Sequence, residues 1–312
     1  MKCTKTSPVA AFAAHSSDTA LVPFKIERRN LRADDVELEV LYCGVCHSDI
    51  HHVRSDWGKE TYPIVPGHEI IGRVPRVGPE VVLFSVGQTV GVGCLVDSLE
   101  QYCVEGSTLT YASIDRHDGS PTYGGYSGSI VVSDGFVLSI SRDIDLAGIA
   151  SLLCAGITTY SPWKRFGAGC TTKVAIVGLG GLGHVAIKLA KAMGAQVTLF
   201  SRHKGKEAEA ERLGADTVII SSDRNEMKAA TGKLDIIIDT IPYQHDLNPY
   251  ILTLTAHGSL VLVGYLGPLK EALNTAPIVM VINLEDINKA YERMLKSDVK
   301  YQFVIDVSSL AI

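Results

Sequence analysis

Between residues 43 and 69 the chain sets out Cys43, Cys46, His47, Ser48, Asp49 and His51, and closes the stretch with His68 and Glu69. Thiolate, imidazole and carboxylate donors within one short span are the mix that a borderline-soft ion such as Zn²⁺ prefers. The stretch is therefore a candidate catalytic metal site. Taken singly, Cys43 or Cys46 reads as a small core residue and His68 as a hydrogen-bonded loop histidine; their conjunction is what points to a metal.

A second stretch carries phosphate chemistry. Gly178-Leu179-Gly180-Gly181-Leu182-Gly183 has the form G-x-G-x-x-G, follows the apolar run Lys173–Val177 and leads into a helix expected over His184–Met193. In that setting the glycines let the backbone turn and approach a pyrophosphate, which rests on the positive end of the helix. The next expected strand, Gln196–Phe200, ends in Ser201, Arg202, His203, Lys204, Gly205 and Lys206, with no acidic residue to take ribose hydroxyls. Hydroxyl and basic groups there suit a 2′-phosphate, so NADP(H) is favoured, with Ser201, Arg202 and Lys206 as its candidate contacts. A glycine turn needed only for packing and a solvated basic turn are the plainer alternatives.

These residues need two kinds of scaffold. Residues 34–41 alternate apolar and charged side chains with the period of a half-wet strand, and residues 70–93 and 130–140 supply further short β-branched runs broken by turn residues. The first part thus reads as mostly β. Residues 144–160 look helical and carry Cys154; beyond them strand-like and helix-like segments alternate to about residue 263, which predicts a parallel sheet covered by helices. An amphipathic helix is expected over 285–296 and a last apolar strand over 303–305.

Composition narrows the function classes. A chain of 312 residues exceeds one simple core, so two domains are expected. Its net charge of −5, with no basic block, argues against nucleic acid as a partner. No apolar run is long and pure enough to span a bilayer, and no signal-peptide core follows the first residues, so a soluble cytoplasmic protein acting on small molecules is expected. Seven scattered cysteines do not make a disulfide scaffold.

The metal-like stretch, the glycine motif and Leu153-Cys154-Ala155-Gly156-Ile157-Thr158-Thr159-Tyr160, together with Tyr62 to Gly72 and Ala290 to Asp306, closely resemble the zinc-dependent medium-chain alcohol dehydrogenases, most of all the cinnamyl alcohol dehydrogenase group. The resemblance implies an α/β architecture: a mostly-β, GroES-like catalytic zinc domain (1–150), a Rossmann dinucleotide-binding domain (151–280), and a return to the catalytic domain (281–312). It implies one catalytic zinc on Cys46, His68 and Cys154, with Glu69 as an alternative or transient ligand. Asp49 would orient His68, Ser48 and His51 would relay a proton, and Asp56 would extend that relay. Thr158 would pack near the nicotinamide, His47 would take a cofactor-phosphate or structural role, and His52 would face solvent. Tyr42 and Cys43 are expected in packing, and Trp57 is a candidate pocket wall. The implied reaction is reversible reduction of aromatic or medium-chain aldehydes to primary alcohols with NADP(H), in a homodimer.

The chain departs from the family pattern in two segments. Val96-Asp97-Ser98 joins almost directly to Leu99-Glu100-Gln101-Tyr102-Cys103, which keeps one of four cysteines that hold a structural zinc in many relatives. One thiolate cannot close a tetrahedral site, so a single zinc is expected. A second shortening lies between Met280 and Val281, where relatives carry sheet edge and dimer contacts, and Gln302 replaces a common arginine. These losses keep open a non-catalytic NADPH-binding remnant as an alternative. A zinc-free quinone or enone reductase on the same scaffold is the other, and it lacks the Cys46, His68 and Cys154 set.

Overall fold

The computed structural model describes residues 8–98, 107–115, 117–141, 145–243, 245–264, 279–283 and 302–306. The chain divides after residue 265 into two units.

In the larger unit, β1 (Pro8–Ala13) and β2 (Val22–Glu27) form an antiparallel pair. There follow β3 (Asp35–Cys43), α1 (His47–Val53), β4 (Ile70–Val77), β5 (Thr89–Val92), β6 (Leu95–Ser98), β7 (Ser107–Leu109), β8 (Ser129–Ser133) and β9 (Val137–Ser139). The main sheet runs β8-β3-β4-β5-β9 and is antiparallel throughout. As the alternation in β3 predicts, Val36 and Leu38 are buried; with Ile70, Val74, Val90, Val92, Ile130 and Val132 they make one core. Each such side chain contributes about 1.5–3 kcal/mol on burial. The pairing of β3 with β4 matters most for the site. Cys43 lies opposite Ile70, and the Gly44 N–H donates to the Glu69 carbonyl at 2.9 Å, so the Cys46 turn emerges beside His68 and Glu69.

The expected helix over 144–160 is broken. It consists of α2 (Leu146–Ala150), capped by Asp145, a single tight turn over 151–153, and α3 (Ala155–Arg165), with Cys154 at the break in a non-helical conformation (φ −120°, ψ −69°). Regular helix across this point would carry the thiol elsewhere around the axis, and the break sets its direction.

From there the chain alternates: β10 (Lys173–Val177), α4 (Gly181–Ala192), β11 (Gln196–Ser201), α5 (Glu207–Leu213), β12 (Thr217–Ile220), α6 (Arg224–Ala229), β13 (Leu234–Asp239), α7 (Asn248–Ile251) and β14 (Leu254–Leu262). The five strands are parallel in the order β12-β11-β10-β13-β14. Val174, Ile176, Val197, Leu199, Ile236 and Ile238 bury one face with Ala186, Ile187 and Ala190 of α4 and with Trp163 of α3, whose indole N–H donates to the Ala186 carbonyl at 3.2 Å. Ala175, Val177, Phe200 and Ile237 bury the other face. The order reverses between β10 and β13, which is where such sheets open a crevice for ligands. Helix α4 begins three residues before the expected His184, at the third glycine of the motif.

In the smaller unit β15 (Val279–Asn283) and β16 (Gln302–Asp306) pair in parallel, so the strand expected over 303–305 is present. The expected helix over 285–296 and the Cys103 segment lie outside the described residues. Among the described residues no helix is long and apolar enough to cross a membrane.

Candidate metal and dinucleotide site

Asp49 organises the first centre. It is buried on α1 and receives four donors: the Cys46 backbone N–H at 2.9 Å, the Gly67 N–H at 3.0 Å, His68 Nδ1 at 3.1 Å and the Tyr126 hydroxyl at 3.3 Å. Burial opposes its charge, but the bond and charge of His68, the Cys46 N–H and Tyr111 together outweigh it and hold the carboxyl below its ordinary range. With Nδ1 engaged, Nε2 of His68 is the atom left to bind a metal, the usual arrangement of a ligating histidine.

Ligand atoms of Cys46, His68, Glu69 and Cys154 all lie within 4.8 Å of one another. His68 and Glu69 are buried and the two cysteines half-buried. Glu69 approaches so closely that a Cβ on Gly44 would fall 1.9 Å from its Oε2, so a side chain there would displace the Glu69 carboxylate. Burial, then the charge of Cys46, pushes the Glu69 carboxyl up to about 7. Burial disfavours a charged His68, yet Asp49 and the Cys154 and Cys46 thiols outweigh it and push the imidazole up to about 12. Two soft thiols, one imidazole nitrogen and one carboxylate fit a zinc ion and would leave room for a small ligand if three of them bind.

Around this cluster the sequence reading meets both agreement and correction. The Ser48 hydroxyl is 3.5 Å from Cys46 Sγ. His51 stacks on Trp57 with ring centroids 4.9 Å apart, and its Nδ1 meets Asp56 Oδ2 at 2.9 Å; its Nε2 is buried without a hydrogen-bond partner among the described residues. Thr158 sits one helical turn beyond Cys154 and donates its N–H to the Cys154 carbonyl at 3.0 Å. His47 is exposed, with its ring centroid 6.2 Å from that of His51. Cys43 packs against the sheet core as expected, with its thiol pushed up to about 12 by burial, whereas Tyr42 is 46% exposed and is not a core residue.

His52 does not face solvent. It pairs with Glu60 at 2.6 Å, packs edge-on to Trp57 and Tyr111, and lines a cavity of about 120 Å³ shared with Ser48, Trp57, His68, Cys94 and Tyr111. Helix α1 places it four residues after Ser48, on the same face. Trp57 is a wall of that cavity. Tyr111 and Cys94 had no signal in the sequence: the Tyr111 hydroxyl lies 3.5 Å from His68 Nδ1, and a hydrogen bond with Cys154 lowers the Cys94 thiol against burial.

The second centre is the crevice at the ends of β10, β11 and β13. A Cβ on Gly183 would fall 2.1 Å from the Gly178 carbonyl oxygen, so that glycine is required by the fold itself. Gly180 and Gly181 are different: a Cβ on either would meet nothing within 4 Å. They leave an open cradle at the N-terminus of the twelve-residue α4, with Leu182 half-buried behind it. A pyrophosphate fits that cradle. The adjoining cavity, about 390 Å³, is lined by Gly178, Gly180, Ser201, Arg202, Lys206 and Tyr243 among others. Ser201 is buried and its hydroxyl donates to the His203 carbonyl at 2.9 Å; Lys206 Nζ donates to the Leu179 carbonyl at 2.8 Å and ties the glycine loop to the end of β11.

Comparison with known proteins agrees with both halves. Residues 32–142 match the alcohol dehydrogenase GroES-like domain and residues 181–296 match the zinc-binding dehydrogenase family. The NADP-dependent alcohol dehydrogenase C 1 of Mycolicibacterium smegmatis is 43% identical, over 97% of this chain and 99% of that protein. Among solved structures, a cinnamyl alcohol dehydrogenase from Sorghum bicolor superposes with a TM-score of 0.79 at 36% identity, covering 97% of this chain and 98% of its own. CAD from Helicobacter pylori in complex with NADP(H) gives 0.78 at 35%, covering 97% and 99%. With both of its domains matched and its ligand-type residues gathered in one pocket, the chain belongs to the zinc-dependent medium-chain alcohol dehydrogenases, in the neighbourhood of the cinnamyl alcohol dehydrogenases.

Proposed function

We propose that this chain interconverts aldehydes and primary alcohols with NADP(H), and that Cys46, His68 and Cys154 hold one zinc ion. The single observation that carries the reading is the convergence of these three donors from separate parts of the chain, with Asp49 locking the free nitrogen of His68 toward the thiols. When bound, zinc supplies Lewis acidity that polarises a carbonyl. Residues 1–150 would form the catalytic domain, 151–280 the nucleotide domain, and 281–312 the return to the first. Glu69 stands by as an exchangeable donor. The aromatic walls Trp57 and Tyr111 favour a flat, aromatic or medium-chain aldehyde.

The chain's own groups account for the proton. Ser48 lies at the thiol cluster and His51 one turn on, with a buried Nε2 that has no hydrogen-bond partner among the described residues and Nδ1 on the half-exposed Asp56. A proton taken at Nε2 leaves through Nδ1 and Asp56 to water, which is the role expected of a relay.

Zinc per chain by elemental analysis, read with NADPH oxidation on cinnamaldehyde, tests this. One zinc with turnover is expected; a zinc-free preparation that still turns over would exclude the metal reading. No turnover at one zinc per chain would leave a nucleotide-binding remnant. Asp49→Asn is expected to weaken zinc binding by about 10- to 100-fold in chelator competition. Four donors converge on this carboxylate, and an amide NH₂ cannot accept from any of them.

A further inference from the structure

The crevice beyond the glycine loop holds a cation without an acidic partner. Arg202 is exposed, and among the described residues no carboxylate lies within ion-pair range of it. Its position is nonetheless fixed: Nη2 donates to the Tyr243 hydroxyl at 3.2 Å, and its backbone carbonyl accepts from Ser222 Oγ at 3.2 Å. Tyr243 comes from the loop after β13, on the other side of the cavity, and is half-exposed. That loop is anchored below. His245 Nδ1 donates to the Tyr243 carbonyl at 3.0 Å, and Nε2 of the same ring lies 2.8 Å from the buried Asp239.

We infer that Tyr243 is a positioning residue for cofactor selection, holding the Arg202 guanidinium where it meets the 2′-phosphate of an adenosine ribose. A carboxylate in place of this hydroxyl would orient the guanidinium and also neutralise it. A phenol orients it and leaves its charge for the ligand, whose phosphate matches the planar fork of arginine. The inference rests on the reading of Arg202 as a 2′-phosphate contact.

The test uses the full chain and two probes, adenosine 2′,5′-bisphosphate and 5′-AMP, as competitive inhibitors, with kcat and KM for NADPH alongside. Tyr243→Phe is expected to weaken the bisphosphate by about fivefold, the effect of losing one typical hydrogen bond. Binding of 5′-AMP should stay within about twofold, and KM for NADPH should rise while kcat holds. In an Arg202→Ala background the same substitution should have no further effect on the bisphosphate, because the two residues act as one unit. Equal weakening of both probes, or an effect that persists without Arg202, would mean a packing role and overturn the inference. If Arg202→Ala erases discrimination between the probes and Tyr243→Phe does not touch it, the inference fails and the 2′-phosphate reading stands. If Arg202→Ala leaves discrimination intact, both fail.

Discussion

Cys154→Ala is expected to release the zinc and cut kcat/KM by at least about 10³-fold, roughly 4 kcal/mol of lost transition-state stabilisation. Two thiolates would neutralise a divalent ion, and removing one leaves Cys46, His68 and Glu69. Glu69 is a poor substitute. In the metal-free pocket burial, then the Cys46 charge, pushes its carboxyl up to about 7, so near neutrality much of it carries a proton that an incoming ion must displace. Cys43→Ala is the matched control, because the Cys43 thiol packs beside Gly67 and Gly125 in the sheet core and lies outside the donor cluster. That variant should keep its zinc and lose only about 1 kcal/mol of stability. Zinc content and turnover measured on both variants decide the assignment; a Cys154→Ala protein that keeps stoichiometric zinc and turnover would remove Cys154 from the metal.

The candidate site residues were legible because each announces itself by type. A cysteine three residues before a carboxylate that caps its own helix turn, a Gly-His-Glu after a proline and a glycine run after an apolar strand are local signals, and β3, β4, β10 and α4 formed around them as their periodicity requires. What was not legible came from packing between distant segments. Tyr111 reaches His68 across 43 residues and Tyr126 reaches Asp49 across 77, and neither tyrosine lies in a motif. The break at Cys154 has no breaker residue within Leu152-Leu153-Cys154-Ala155, where propensity favours continued helix, and it leaves the thiol beside Cys46 and His68. His52 is the instructive miss. Its position four residues after Ser48 on a helix was enough to place it on the pocket face, and the expectation of a solvent-facing ring did not use that period.

The glycine loop gives a prediction that separates folding from binding. Gly180 has an extended backbone (φ −124°, ψ −153°) that any residue adopts, and a Cβ there meets no protein atom within 4 Å. Gly180→Val should therefore fold with unchanged thermal stability. The space that its side chain enters is the cradle over the start of α4, so the pyrophosphate is pushed off the backbone N–H groups and NADPH affinity should fall by about 100-fold or more. Gly183→Ala should behave oppositely, because its Cβ would collide with the Gly178 carbonyl and α4 must shift on the sheet whether or not cofactor is present. A loss of roughly 1–3 kcal/mol in the ligand-free protein is expected there. Thermal unfolding with and without NADPH reads both. At 100 times the parental Kd, NADPH stabilises the parental chain by about 2.7 kcal/mol and the Gly180→Val chain by less than about 0.4 kcal/mol. If Gly180→Val kept the full NADPH-induced shift, the pyrophosphate would have to lie elsewhere than on this loop, and Arg202 and Lys206 would lose their bearing on the cofactor with it.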